Sequence, residues 1–242
     1  MKKEVLGVGI DDVSMEEALS TVKTWLTTAK GNKKYVIVTP NPEFLVTAQV
    51  DTEFKKTLNR ADMAIPDGVG LKLSGKIKNT TSGIDLMERL CKSCSDLGLC
   101  VGLIGGKNLV AKKTKECLIQ RYPGLRVVYA DQGVELVSGS YYTPNLIKSI
   151  NKCDILFVAF GMVKQEKWIM ANIDQLAVKV AMGVGGAFDY LSGEVPRAPK
   201  FLRSLGLEWL FRLIIQPWRI KRQLNLVKYI FLVLQERFIK EE

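Results

Sequence analysis

The 242-residue chain contains no histidine. That absence excludes Ser-His and Cys-His triads and leaves carboxylates, Lys, Tyr and Cys as candidate general bases. Long apolar runs are also missing. The uncharged stretch after Lys228, from Tyr229 to Gln235, falls far short of the ~20 residues a membrane span needs. The dinucleotide fingerprint G-x-G-x-x-G does not occur: Gly68-Val69-Gly70 lacks a glycine three residues on, and Gly102-Leu103-Ile104-Gly105-Gly106 has the wrong spacing. There is no P-loop and no D-x-D pair. These gaps argue against NAD and against a metal-held diphosphate, while a nucleotide diphosphate at a helix N-terminus remains compatible. Nothing after Met1-Lys2-Lys3 reads as an export signal, so the five cysteines (91, 94, 100, 117 and 153) are expected to be reduced cytosolic thiols. Cys91 and Cys94 form a C-x-x-C, but they fall inside a helical stretch, where thiols three apart line an apolar face; no metal site is expected.

What is present is an ordinary globular composition, 47% hydrophobic and 25% charged, in a chain long enough for one large α/β domain or a domain with an appendage. The net charge of +10 is uneven. Arg197 to Glu242 holds ten Lys/Arg against four Glu, whereas the remainder holds 25 basic and 21 acidic residues. A basic end suits an anionic surface.

Short β-rich runs alternate with helical patterns. Candidate strands are Val5 to Ile10, Tyr35 to Thr39, Met63 to Ile65, Cys100 to Ile104, Leu125 to Tyr129, Asp154 to Phe160 and Val178 to Met182. Helix starts are legible: a capping box at Ser14-Met15-Glu16-Glu17, and N-cap-proline pairs at Asn41-Pro42 and Thr143-Pro144. Gly98 closes the helix that begins near Asp85. The alternation predicts an α/β fold with a doubly wound, mostly parallel sheet.

Ligands of such sheets bind beyond the carboxyl ends of the strands. Six successive strands run into small or polar residues: Thr39-Pro40-Asn41, Pro66-Asp67-Gly68, Gly105-Gly106-Lys107, Asp131-Gln132-Gly133, Gly161, and Gly183-Val184-Gly185-Gly186. Any one is most simply a turn, but six in a row point to a binding rim. Asp67 is the carboxylate of this series that sits between proline and glycine, and it either shapes its turn or serves a site.

The C-terminal segment has a different character. Leu207, Leu210, Phe211 and Ile214 recur at helical spacing, Pro217 breaks the pattern, and a second helix begins at Trp218-Arg219-Ile220. Two interpretations stand: a helical cap on the sheet, or an amphipathic segment lying in a lipid surface. Its basic residues alternate with large aliphatics, which disfavours nucleic acid.

Taken together, "TPNPE" (39–43), "PDGVG" (66–70), "GIDLM" (83–87), "KQEKW" (164–168), "GVGGAFDYLSGEVPRAP" (183–199) and "GLEWLFRL" (206–213) resemble the bacterial WecG/TagA/CpsF glycosyltransferase family over nearly the whole chain. Its members include N-acetylmannosaminyltransferases of wall teichoic acid and enterobacterial common antigen synthesis. The resemblance implies a Rossmann-like catalytic domain over 1–195 and a membrane-docking appendage over 196–242. It implies an inverting, metal-independent enzyme without a cofactor, on the inner face of the cytoplasmic membrane. The donor would be a UDP-sugar, UDP-N-acetylmannosamine in the best-known case, and the acceptor N-acetylglucosaminyl-diphospho-undecaprenol. A homo-oligomer that buries the apolar tail in solution is a further expectation. Carried over by residue, Asp67 matches the general base, and Thr39 and Asn41 match the polar residues beside it. Gln165 and Glu166 match a pair at the nucleotide site, and Asp189 the acid of the glycine-rich turn. Gly68, Gly105, Gly161 and Gly185 are the expected substrate-binding glycines of the rim. This chain has Asn79-Thr80-Thr81-Ser82 where members carry an arginine, and Asp131-Gln132-Gly133-Val134 where many carry a histidine element. Diphosphate stabilisation is therefore expected from Arg197, Lys200, Arg212 or Arg219. The competing interpretations are a transferase for another UDP-hexose or UDP-N-acetylhexosamine, a non-catalytic UDP-sugar-binding protein, and an NAD-dependent oxidoreductase.

Overall fold

A computed structural model describes residues 2–28, 33–133, 141, 143–150 and 153–241, with 219, 221–223 and 239–241 described by backbone alone. The strands are β1 (Lys2–Val5), β2 (Val8–Asp11), β3 (Tyr35–Val38), β4 (Met63–Ala64), β5 (Cys100–Gly105), β6 (Arg126–Asp131), β7 (Ile155–Ala159) and β8 (Val180–Gly183). The helices of the first half are α1 (Met15–Thr28), α2 (Pro42–Val50), α3 (Thr52–Arg60), α4 (Gly83–Asp96) and α5 (Val110–Arg121). They are followed by α6 (Pro144–Ile150), α7 (Lys164–Asn172), α8 (Ala187–Leu191), α9 (Lys200–Ser204), α10 (Glu208–Ile215) and α11 (Ile220–Glu241). Single 3-10 stretches occupy Val69–Ser74 and Pro217–Arg219.

The six strands β3 to β8 form one sheet in the order β4-β3-β8-β7-β5-β6, every neighbouring pair parallel. Successive residues of a strand face opposite sides, and the apolar runs divide accordingly. Val36, Val38, Leu156, Val158 and Ala181 pack in one core with α2, α3, α6 and α7. Ile37, Ile155, Phe157, Val180 and Met182 pack in the other with α1, α4, α5 and α8. The doubly wound α/β expectation holds. Cys91 and Cys94 lie on the buried face of α4 in the second core, where burial pushes the Cys94 thiol up to about 12 and the Cys91 thiol well above its usual range.

Val5 to Ile10 is not one strand. It is a hairpin in which Val5 pairs with Val8 around Leu6 and Gly7, both at positive φ (52° and 74°), so the chain reverses within the expected strand. The hairpin stands apart from the main sheet. Asp11 accepts the Ala64 amide at 2.8 Å, which satisfies a donor on the short edge strand β4.

The Ser14 and Asn41 caps are in place, whereas Thr143, ahead of α6, accepts the Trp168 Nε1–H at 2.9 Å through its Oγ1. Ser14 and Glu17 exchange hydrogen bonds, and Asn41 Oδ1 accepts the Phe44 amide at 3.1 Å. Beyond Pro217, α11 packs along α2 and the 69–74 turn. Tyr229 and Val233 are buried there, with Tyr229 Oη donating to Leu71 O at 3.4 Å. Lys76 pairs with Glu236 at 2.9 Å, and Arg237 donates to Leu73 O. The opposite side of the same helix carries Val227, Phe231, Leu234 and Phe238, all exposed at four-three-four spacing. One face of α11 is thus a cap on the domain, and the other is an unpartnered apolar stripe. Among the described residues, no helix is long and apolar enough to cross a membrane.

Candidate functional site

Because all six strands of the sheet are parallel, their carboxyl ends share one edge, and every one of them contributes to a single cleft of about 1320 Å³. Its walls come from Thr39 and Asn41 after β3, Asp67 and Gly68 after β4, and Gly106 to Asn108 after β5. Gln132 and Gly133 after β6, Phe160 and Gly161 after β7, and Val184 to Tyr190 after β8 complete the rim. Arg203, Glu208, Trp209 and Arg212 cover it from the C-terminal segment. The volume exceeds the ~300–1,000 Å³ of a typical small-ligand pocket and has room for two substrates side by side.

Asp67 is held by backbone on both sides. Its own amide donates to Pro40 O at 2.9 Å, and the Thr81 amide donates to Pro66 O at 2.8 Å. Gly68 follows at φ 86°, ψ 142°, a conformation open essentially to glycine alone, and this turns the chain sharply away from the carboxylate. Burial is the largest influence on the Asp67 carboxyl and raises its pKa to about 7, aided by the charges of Glu208 and Asp85 and opposed by the Gly83 amide and Arg197. Asp67 therefore sits at the N-terminus of α4, whose cap Ser82 accepts from the Asp85 amide. Thr39 is buried beside it, its Oγ1 donating to Gly183 O at 3.4 Å.

An ion cluster surrounds this corner. Arg197 Nη1 lies 2.7 Å from Asp85 Oδ1 and Arg197 Nε 3.2 Å from Glu208 Oε1. Arg203 Nη1 reaches the same Asp85 oxygen at 3.6 Å. Burial tends to raise the Asp85 carboxyl, but the hydrogen bond and charge of Arg197 hold it below the usual range. Arg197 is committed to this cluster and does not line the cleft, and Lys200 is exposed at the start of α9 outside it. Arg212 does line the cleft: its guanidinium stacks 4.6 Å from the Tyr190 ring centre, 3.9 Å from Asp189 and against Gly186, where an added Cβ would come within 2.9 Å of Nη2. The Arg219 side chain and Val134 lie outside the described residues.

Gln165 and Glu166 take different positions. Gln165 lines the cleft and accepts the Gly185 amide at 3.0 Å through Oε1, tying α7 to the glycine-rich turn. Glu166 lies fully buried beneath the rim, receiving Gln165 Nε2 at 2.6 Å and the Val163 amide at 2.8 Å. Burial raises its pKa to about 7. That bond fixes Val163 at φ 73°, an uncommon conformation for a β-branched residue. Gly105 is likewise structural: at φ 111° it lies against the Ala159 backbone, where a Cβ would come within 2.5 Å. Of the expected site residues, the cleft gathers Asp67, Thr39, Asn41, Gly68, Gly161, Gln165, Gly185, Asp189 and Arg212, and leaves Glu166, Gly105 and Arg197 behind its walls.

A profile of the WecG/TagA/CpsF family of glycosyl transferases matches residues 3–242. The chain belongs to that family. A Staphylococcus aureus (strain MRSA252) protein named N-acetylglucosaminyldiphosphoundecaprenol N-acetyl-beta-D-mannosaminyltransferase is 32% identical over 228 residues, covering 91% of this chain and 87% of the relative. Proteins of the same name from strains NCTC 8325 and COL match with the same identity and coverage.

In this WecG/TagA/CpsF glycosyltransferase, sequence reasoning missed Asp85, Arg203 and Glu208 as parts of the site. Asp85 and Glu208 lie inside the quoted "GIDLM" and "GLEWLFRL" motifs, and a charged residue at the first turn of each helix was the available signal. Arg203 had none, because only the path of α9 turns it toward Asp85.

Proposed function

We propose that this glycosyltransferase moves N-acetylmannosamine from UDP-N-acetylmannosamine to N-acetylglucosaminyl-diphospho-undecaprenol, with inversion and without a metal. The observation that carries the proposal is Asp67 on the rim of a two-substrate cleft, its pKa raised to about 7. A base of that strength is half ionised near neutrality and able to accept a proton from an alcohol as it attacks. In the reaction the acceptor hydroxyl oxygen bonds to the anomeric carbon opposite the departing UDP. Its proton passes to Asp67, and the bond between the anomeric carbon and the phosphate oxygen breaks. Arg212, over the Gly185-Gly186 turn, takes the growing charge on the diphosphate. Asn41 spends its Oδ1 capping α2, so its part is to fix the Thr39–Asn41 wall beside Asp67.

The names of the relatives support the sugar and the acceptor. The exposed stripe Val227-Phe231-Leu234-Phe238, with Ile214 and Trp218 about 70% exposed nearby, supports peripheral docking of the 196–242 segment on the membrane that holds the acceptor. The deciding experiment is a donor screen with purified protein and a short-chain N-acetylglucosaminyl-diphospho-lipid. Transfer from UDP-N-acetylmannosamine that is lost in Asp67→Ala, with UDP binding retained, is expected. Absence of transfer from every UDP-N-acetylhexosamine by the unmodified protein would overturn the proposal.

A further inference from the structure

Arg203 lies on the cleft wall, half-buried, in a helix that contributes no buried residue to either core. Its contact with Asp85 is long, at 3.6 Å, and shared, since the same oxygen already receives Arg197 at 2.7 Å. The Arg203 Nε–H is buried and meets no hydrogen-bond acceptor among the described residues. Buried donors, charged ones above all, are nearly always paired, so this orphan at the cleft wall is costly, and a small turn of the side chain that brings its Nε–H to a ligand oxygen in the cleft would relieve it.

We propose that Arg203 is a binding residue for the diphosphate of the lipid-linked acceptor. Guanidinium groups match phosphate oxygens with two parallel N–H donors, and Arg203 offers Nε with one Nη in that side-on fork. Position separates it from the donor's diphosphate. Arg212 stands over the turn after β8, against Gly186 and Tyr190. Arg203 stands on the β4 side, tied to Asp85, whose charge reaches Asp67. Beside it the wall turns apolar: Val69, Leu73, Trp209 and Leu226 line the cleft, and Gly206 packs so closely on Val69 that a Cβ would come within 2.5 Å. A cation followed by an apolar wall suits an amphiphile whose diphosphate continues into hydrocarbon, and UDP has no hydrocarbon to place there. The inference rests on the proposed function only in taking a lipid diphosphate as the acceptor.

Intact protein, Arg203→Ala, Arg203→Lys and Arg212→Ala are each titrated with UDP and with a soluble N-acetylglucosaminyl-diphospho-lipid, and acceptor and donor KM are measured alongside. Arg203→Ala is expected to weaken lipid-diphosphate binding and raise acceptor KM at least tenfold, with UDP binding and donor KM changed less than twofold. Arg203→Lys, which keeps the charge and loses the fork, recovers part of the loss, and Arg212→Ala weakens UDP instead. Unchanged affinity for the lipid diphosphate in both Arg203 variants, or equal weakening of both ligands, overturns the assignment. Should Arg203→Ala fail to fold, Arg203→Lys carries the same comparison. A protein that binds the lipid diphosphate through Arg203 but transfers no sugar keeps this site and loses the proposed reaction; normal transfer with acceptor KM unmoved does the reverse.

Discussion

Asp67→Asn keeps the shape of the rim and removes the base. The expected loss in kcat is about 10²–10⁴-fold with UDP affinity retained, read from transfer assays beside a UDP titration. Since the carboxyl titrates near 7, kcat/KM should rise with pH through that region. Glu208→Gln removes a like charge that favours the protonated form and frees Arg197 to favour the ionised one, so the rising limb should move to lower pH. A limb that stays put in Glu208→Gln would separate it from Asp67. Glu166 gives a stability readout at the same scale. Its folded carboxyl is raised from the ordinary 4.5 to about 7, so between those values the folded protein holds a proton that the unfolded chain has released. Stability contributed by that proton is complete below about 4.5 and is lost as pH rises through 7. Glu166→Gln should flatten this decline in melting temperature between pH 5 and 8. The distinction between Asp67 and Glu166 was not legible in the sequence: both follow strand-end turns, and only the packing of Gln165 over Gly183 shows that one faces the cleft and the other lies under it.

At the scale of elements, α11 is the instructive case. Its sequence carries two apolar stripes, and periodicity alone did not reveal which packs inward. The structure buries Tyr229 and Val233 and exposes Val227, Phe231, Leu234 and Phe238. Tyr229→Ala should cost about 3–5 kcal/mol in denaturant unfolding, as for other fully buried aromatics. Phe231→Ala should change stability by less than about 0.5 kcal/mol while weakening pelleting with anionic liposomes. The parallel strands were readable because several are apolar throughout and they run into turn residues. The first hairpin was not, because Leu6 and Gly7 reverse the chain inside a run whose pattern reads as one strand.

For the whole molecule, the sheet and the buried residues of its two cores lie before 196, apart from Tyr229 and Val233. Deletion from Gly206 should therefore leave a folded sheet with native-like far-UV circular dichroism and a lower melting temperature. Loss of liposome binding and of most transfer activity is expected, because Glu208, Trp209 and Arg212 leave the cleft. A truncated protein that still pellets with liposomes would assign the membrane contact elsewhere.

The way α10 is fastened has a further consequence. No residue of α10 is buried; its ties to the rest of the domain include the charge pairs Arg197–Glu208 and Arg212–Asp189, with Tyr190 stacked on Arg212. Apolar burial responds little to moderate salt, whereas ion pairs weaken with it, partly buried ones such as these less than exposed ones. Raising ionic strength should then loosen the cover of the cleft well before it loosens α11, which is anchored by Tyr229 and Val233. The working site of this enzyme is, in that sense, set by its electrolyte as well as by its sequence.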